Sequence, residues 1–399
     1  MLTPSISRLI LAQCVRTLTF AGPIFTLFLL AKGLSLQQIF TLSSIILLSG
    51  MFFEVPTGIL ADRYGRKKSL ILGACISTMG WVLWLFVDTF IGFALIFGLF
   101  GLANAFWSGT DEALIYDELK SIGREQDAQK VFSRYSGALA VAFAVAAFVG
   151  GFLARVHTLE NFYLLFQLTC ISSFLGLLLT LTLREPVKST AAGKELEHKE
   201  ESILRQFGSG VRLLTKNKRL RKITFFSIFT LSFALMETYQ VYFVRSDVPA
   251  SWYGYVLGVS SLLIAVVKWY AYKLEEWFGV EKSMLIISVI PAVLWIAMAW
   301  VLQPVVAVLL FLLTDATGNM RDPIIADYQN RHIEGSRRAT VLSMISLLTS
   351  GYIAIMLPIV GWIAGKSLPA SFLFCAFLII TGLVFFRIRA RDVSTTVEQ

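Results

Sequence analysis

Arg16, Asp111, Glu112, Glu237 and Asp315 are charges at membrane depth in the first, fourth, seventh and tenth of the runs apolar enough to sit in lipid. A charge at the centre of a membrane helix costs roughly 2.5–3.5 kcal/mol on insertion scales, so an ion retained there is read first as functional. Carboxyls withdrawn from water suit proton uptake and release, and Asp315 and Glu237 are the leading candidates. Arginine keeps its proton and binds through a two-pronged fork, which fits Arg16 as counter-ion to a carboxylate of the fourth run or to an anionic substrate. The plain alternative is mutual pairing that holds helices together. Glu54 and Lys268, 214 residues apart, occupy matching places and form a candidate ion pair; otherwise each snorkels to the inner interface. Arg134, Arg321 and Asp322 read as charges at helix ends, close to water.

The elements that must carry these residues are hydrophobic helices. Of 399 residues 56% are hydrophobic and 15% charged, against about 25% charged in soluble domains. Twelve apolar runs are long enough to cross a bilayer, at 6–31, 36–59, 69–87, 90–115, 131–154, 161–183, 222–246, 252–273, 283–302, 304–326, 339–364 and 369–386. Lipid cannot satisfy free backbone groups and the alternation of a barrel is absent, so the spans must be helices. The net charge of +9 is a topology signal and does not point to nucleic acid. With the N-terminus inside, twenty-seven Lys and Arg fall on the cytoplasmic side and four (Lys32, Arg155, Arg245, Lys366) outside. That bias puts both termini in the cytoplasm. Cys14, Cys75, Cys170 and Cys375 fall within spans as packing residues. His157, His198 and His332 lack ligand-like companions, so no metal site is expected. There is no phosphate loop of the form Gly-x-x-x-x-Gly-Lys-Ser/Thr, which excludes an ATP-driven pump and points away from an enzyme or a bound cofactor.

A basic turn, residues 54–70, recurs in weaker form at 272–283. With Gly65 set on Gly279, Asp62 falls on Glu276, Lys68 on Lys282 and Ser69 on Ser283, whereas Arg66 falls on Val280. At an offset of 210, Ala113–Asp117 faces Pro323–Asp327, Glu112 faces Asp322, and Gly151–Ala154 faces Gly361–Ala364. The chain therefore reads as an all-α membrane protein with twelve transmembrane helices in two pseudo-symmetric six-helix bundles. The bundles are 1–183 and 222–399, the latter with a short cytoplasmic tail, joined by a cytoplasmic linker at 184–221. Within the linker, Ile203, Leu204, Phe207, Val211 and Leu214 have helical spacing, which fits a helix on the inner membrane surface; a flexible tether fits equally. Two related halves around a central site are how secondary transporters are built.

From Gly58 to Lys68 the sequence resembles the signature loop between the second and third spans of the major facilitator superfamily, a glycine followed by Asp-Arg-x-Gly-Arg-Lys. Glu54-Val-Pro-Thr-Gly58 and Ser108–Asp117 resemble its bacterial drug:proton antiporter branch. The resemblance implies that fold, and alternating access around a cavity lined by the first, fourth, seventh and tenth spans, which carry the five charges. It also implies a gating latch of Gly58, Asp62, Arg63, Gly65 and Arg66, with Asp62 set against the eleventh span and Arg66 paired with Asp117. Gly58 would permit close helix approach and Gly65 a tight turn. Phe20, Phe25, Trp107, Met236, Tyr239 and Tyr242 would give the cavity an adaptable lining. Two features depart from the antiporters: no arginine stands near Ile96 or Phe97, a role expected to pass to Arg16, and Gly150-Gly151 lacks a preceding Gly-Pro. The expected activity is proton-coupled export of amphipathic or cationic small molecules, a multidrug-like efflux. The expected setting is a monomer in the bacterial inner (plasma) membrane, with protons and lipids as partners and no nucleic acid, metal or cofactor. The first rival is proton-coupled transport of one anionic metabolite or siderophore anchored by Arg16. A remote one is a non-transporting receptor on the same fold.

Overall fold

The apolar runs fold into α-helices in the computed structural model, which describes residues 3–154, 159–184, 217–331, 333 and 338–393. The linker segment from Ile203 to Leu214 and the three histidines lie outside these residues. No strand occurs among the described residues. The chain forms two units, Met1–Gly193 with Pro249–Leu262 and Lys194–Val248 with Leu263–Gln399. In chain order the first eight helices are α1 (Pro4–Thr17), α2 (Phe25–Ala31), α3 (Leu36–Tyr64), α4 (Arg66–Trp84), α5 (Phe90–Trp107), α6 (Thr110–Ser121), α7 (Ala128–Leu153) and α8 (Leu159–Leu181). They are followed by α9 (Lys218–Phe229), α10 (Leu235–Arg245), α11 (Tyr253–Tyr270), α12 (Tyr272–Trp300), α13 (Pro304–Arg331), α14 (Arg338–Lys366), α15 (Leu368–Phe385) and the short α16 (Ala390–Val393). The boundary between units runs through α11.

Among the described residues, nine helical stretches are long and apolar enough to cross a membrane. The other three runs read from the sequence carry breaks or charges. The run at 222–246 is split into α9 and α10, α13 holds Asp315, Arg321 and Asp322, and α4 opens on Arg66-Lys67-Lys68. Lipid contact explains the outward faces: on α3, Leu48, Phe52 and Val55 form an exposed stripe at helical spacing, with Phe52 75% exposed. Phe86, Trp269, Trp300 and Phe385 are exposed close to helix ends, where aromatic belts sit.

Aromatic packing fills the first unit. Trp84 lies 4.9 Å from Phe93 and 5.2 Å from Phe166, ring to ring, within a cluster that also buries Phe28 and Phe97. Phe25, expected in a cavity, packs on Trp84 at 5.0 Å instead. A second cluster gathers Leu9, Leu70, Trp107, Ile115 and Tyr135. In the second unit Ile223, Phe226, Met284, Ile287 and Tyr328 pack together. Tyr239 lies against Phe311 at 5.1 Å, and the Tyr242 hydroxyl donates to the Val301 carbonyl at 2.7 Å. Both tyrosines are buried packing residues, not an adaptable lining.

The internal repeat is visible in the backbone. Gly65 ends α3 with φ +104°, and Gly279, its aligned partner, kinks α12 with φ +72°. Side chains rarely adopt this region, so both positions favour glycine. Gly58 does not hold two helices close: it is exposed, and a Cβ there would meet nothing within 4 Å. Close approach occurs at Gly101 of α5, where a Cβ would lie 2.5 Å from the Ile46 carbonyl oxygen and 2.6 Å from Ser49 Cβ of α3. The Ser49 hydroxyl completes this contact by donating to the Gly98 carbonyl at 2.7 Å. Gly101→Val should therefore destabilise the protein by about 1–3 kcal/mol through overpacking. Gly98→Ala, which meets open space inside a helix, should not lower the thermal unfolding midpoint and should raise it slightly, since Ala is the better helix former.

Candidate functional site

The charged residues of the first unit meet where two helices are interrupted. α5 stops at Trp107 and α6 starts at Thr110, with Gly109 between them at φ +69°. A break strips the last carbonyls of a helix of their amide donors. Two hydroxyls replace them: Thr57 Oγ1 donates to the Ala105 carbonyl and Ser69 Oγ to the Phe106 carbonyl, each at 3.0 Å. Beyond the break, Asp111 and Glu112 occupy the first turn of α6, where helix dipoles gather positive charge. The Asp111 carboxylate accepts from the Glu112 amide at 2.8 Å and from the Tyr135 hydroxyl at 2.5 Å.

Arg16 stands in the last turn of α1, which ends at Thr17 before a short turn leads into α2. Its Nε donates to Gln13 Oε1 at 2.6 Å, and its guanidinium carbon lies 3.5 Å above the centre of the Trp107 ring. Arg16 also interacts electrostatically with Tyr135 and Asp111. Trp107 is fixed in turn, because its Nε1 donates to the Leu70 carbonyl at 3.2 Å. Gly73 leaves it room; a Cβ there would lie 2.8 Å from that nitrogen. On α8, the Ser172 hydroxyl donates at 2.5 Å to the Val15 carbonyl, which also accepts the Leu18 amide at 3.2 Å, and Gly176 packs on the Arg16 backbone. On α7, Gly150 admits the Phe20 carbonyl, 2.1 Å from where a Cβ would be.

The signature turn reaches the same helix. Arg66 Nη1 forms an ion pair with Asp117 Oδ2 of α6 at 2.7 Å. Asp62 and Arg63 are exposed in the last turn of α3, and the Arg63 guanidinium lies 5.4 Å from the Tyr64 ring. Glu54 is exposed on α3. In the second unit, where Val280 replaces the arginine, Asp327 pairs with Arg331 one turn on at 2.5 Å, and Arg331 reaches Glu275 at 3.9 Å. A cleft of ≈ 440 Å³ there is lined by Tyr272, Glu275, Glu276 and Asp327, among others.

The second unit has its own interruption, Thr230–Ala234, between α9 and α10. Ser232 within it accepts from Trp295 Nε1 at 2.8 Å. Asp315 is buried, and Asn319 Nδ2 donates to its Oδ1 at 3.1 Å and to its backbone carbonyl at 2.9 Å. Glu237 opens α10 and interacts with the Cys375 thiol of α15. Met236 is exposed beside it. Lys268 is engaged by Asp322 of its own unit at 3.1 Å, a partner the sequence pattern did not name. Arg321, expected close to water, is instead buried and bonded to α9. Gln13, Tyr135, Asn319 and Ser232 carried no sequence signal, being ordinary polar residues in apolar runs. Arg321 did carry one, since the 210-residue offset sets it on Asp111. Among the described residues no group of three or more His, Cys, Asp or Glu is placed to hold a metal.

The sequence profile of the Major Facilitator Superfamily matches residues 9–320. The chain is 21% identical over 398 residues to the uncharacterized MFS-type transporter YxaM of Bacillus subtilis (strain 168), covering 95% of this chain and 94% of that one. It is 25% identical over 323 residues to the inner membrane transport protein YajR of Escherichia coli (strain K12), covering 78% and 66%. Among solved structures, the fold resembles the nucleoside transporter NupG with a TM-score of 0.77 at 17% identity, covering 97% of this chain and 100% of that one. It also resembles an inward-facing bacterial homolog of the human lysosomal transporter Spinster, with a TM-score of 0.72 at 15% identity and 98% of each chain covered.

Removing the Tyr135 hydroxyl isolates its bond to Asp111. Tyr135→Phe should lower stability by about 1.5–3 kcal/mol, the usual net worth of a hydrogen bond to a charged group. Tyr116→Phe, at an exposed position of α6, should not, and paired denaturation curves decide between them.

Proposed function

We propose, from the fact that the chain belongs to the major facilitator superfamily, that it is a twelve-span secondary transporter working by alternating access and exporting amphipathic or cationic small molecules in exchange for protons. The observation that carries this reading is the engagement of Arg16. Its guanidinium lies on the face of Trp107 and its Nε on Gln13. An arginine held this way by the protein itself is a poor anchor for an anionic cargo, because releasing it forfeits a cation–π contact and a charge-assisted hydrogen bond. Carboxyls then outnumber cations at membrane depth, with Asp111, Glu112, Glu237 and Asp315 against Arg16 and Arg321. That excess suits a positively charged cargo, replaced by a proton on the return step.

Asp111 is assigned the proton-binding role in the first unit, and Glu237 and Asp315 in the second. Glu112, next to Asp111, adds field strength. α6 carries Asp111 at one end and Asp117 at the other, so the proton site and the Arg66 contact share one twelve-residue rigid element. Through it, protonation would bias the latch formed by Asp62, Arg63, Gly65 and Arg66. Glu54 and Lys268 tune charge at the inner surface in this reading. The protein would work as a monomer in the bacterial inner membrane, with both termini cytoplasmic.

Flux in proteoliposomes under an imposed pH gradient tests this, with ethidium as the cationic probe and citrate as the anionic one. Gradient-driven ethidium flux is expected. Asp111→Asn should flatten its pH dependence and slow it by about tenfold or more, the effect of about 1.4 kcal/mol in a rate-limiting step. Gradient-driven citrate flux lost in Arg16→Ala, with no ethidium flux, would overturn the proposal in favour of anion transport.

A further inference from the structure

Arg321 takes no active part in that reading, yet among the described residues it is the one Lys or Arg that is fully buried, at 4% exposed. Its surroundings explain what holds it. α9 ends at Phe229, and the chain does not become helical again until Leu235. The last carbonyls before that break have lost the amides that would donate to them, and they concentrate the negative end of the helix dipole. From α13, Nη2 of Arg321 donates to the Ser227 carbonyl at 2.6 Å, and Nη1 donates to the hydroxyl of Thr230, the residue that caps α9, at 3.3 Å. Asp322 Oδ1 stands 3.9 Å from Nε, beyond hydrogen-bond range, and the other Asp322 oxygen takes Lys268. The guanidinium is thus set on a helix end by a carbonyl and a hydroxyl.

Interrupted transmembrane helices commonly use such C-terminal ends to coordinate a small cation. In the first unit Arg16 stands in the last turn of α1, but its guanidinium is set on the Gln13 side chain and the Trp107 ring and not on a helix end. The two arginines are not equivalent in the repeat. Arg321 aligns with Asp111, so the second unit delivers its cation from the fourth of its spans and the first unit from the broken helix itself.

We propose that Arg321 is a built-in cation, a positioning residue whose guanidinium fills the ion site presented by the broken end of α9 and fixes the interruption from Thr230 to Ala234. Fixing it holds Ser232 on Trp295 and keeps Glu237 at the start of α10. An uncharged packing residue of similar volume would leave the freed carbonyl unsatisfied, so the requirement is for charge and donors, not bulk.

The test uses the purified full chain and thermal unfolding followed by tryptophan fluorescence, in choline chloride or methylguanidinium chloride at equal millimolar concentration. Wild type should unfold at the same temperature in both. Arg321→Ala should unfold earlier in choline and recover most of the loss in methylguanidinium, which a purely volumetric role would not produce. Arg321→Lys, with the charge but not the fork, should fall between. Equal midpoints for Arg321→Ala and wild type would overturn the proposal, as would an Arg321→Ala midpoint that responds alike to both salts. If Arg321→Ala does not accumulate, Thr230→Val takes its place. It removes one acceptor and should lower the midpoint, and a wild-type midpoint for that variant would equally overturn the proposal.

Discussion

A peptide group in lipid must find its hydrogen-bond partner within the protein. Among the described residues, side chains answer that demand where α5 and α9 are interrupted. The hydroxyls of Thr57 and Ser69 satisfy the end of α5 and Arg321 satisfies the end of α9, while at the end of α1 the Ser172 hydroxyl joins the Leu18 amide on the Val15 carbonyl. Acidic residues open the helices that follow two of these breaks, Asp111 and Glu112 in α6 and Glu237 in α10. Thr57, Ser69 and Arg321 therefore each have a backbone group at a helix end as their reason for being at depth.

The same constraint explains why a membrane protein so rich in apolar surface gathers its polar residues into few places. In the first unit, Arg16, Trp107, Tyr135 and Asp111 form one connected group, and α6 links that group to Arg66 through Asp117. The surrounding aromatic cluster around Trp84 is rigid packing and supplies the scaffold. In the second unit, duplication kept the frame but changed the chemistry. Gly279 keeps the turn of Gly65, while Val280 surrenders the ion pair and Arg331 supplies a local substitute for Asp327. Arg321 replaces an aspartate. The units share a backbone plan and divide the charges between them.

Much of this was legible in the sequence, and the reasons are specific. Spans follow from apolar length because the bilayer sets that length, and the repeat was found because turns demand particular residues at Gly65 and Gly279. The break at Gly109 escaped because a hydropathy window averages over residues and is blind to one positive φ. A window likewise joins α9 to α10 across Thr230–Ala234. The motif predicts a contact glycine at Gly58, but a motif does not distinguish a glycine facing open space from one packed against a neighbouring helix like Gly101. Arg321 was assigned to water because charges late in an apolar run usually mark its end. Here α13 continues to Arg331, so Arg321 lies well inside it.

The central claim proposed here is that the carboxyls opening the helices after the interruptions, Asp111 and Glu237, take up and release the coupled proton. Hydrogen–deuterium exchange of the protein in lipid nanodiscs, compared across the pH range in which carboxyls titrate, measures this directly. The account predicts that amide protection at 107–112 and 229–236 shifts with pH, while the centres of α5 and α12 stay protected throughout. Protection at both interruptions that is as high as in those helix centres and indifferent to pH would contradict it.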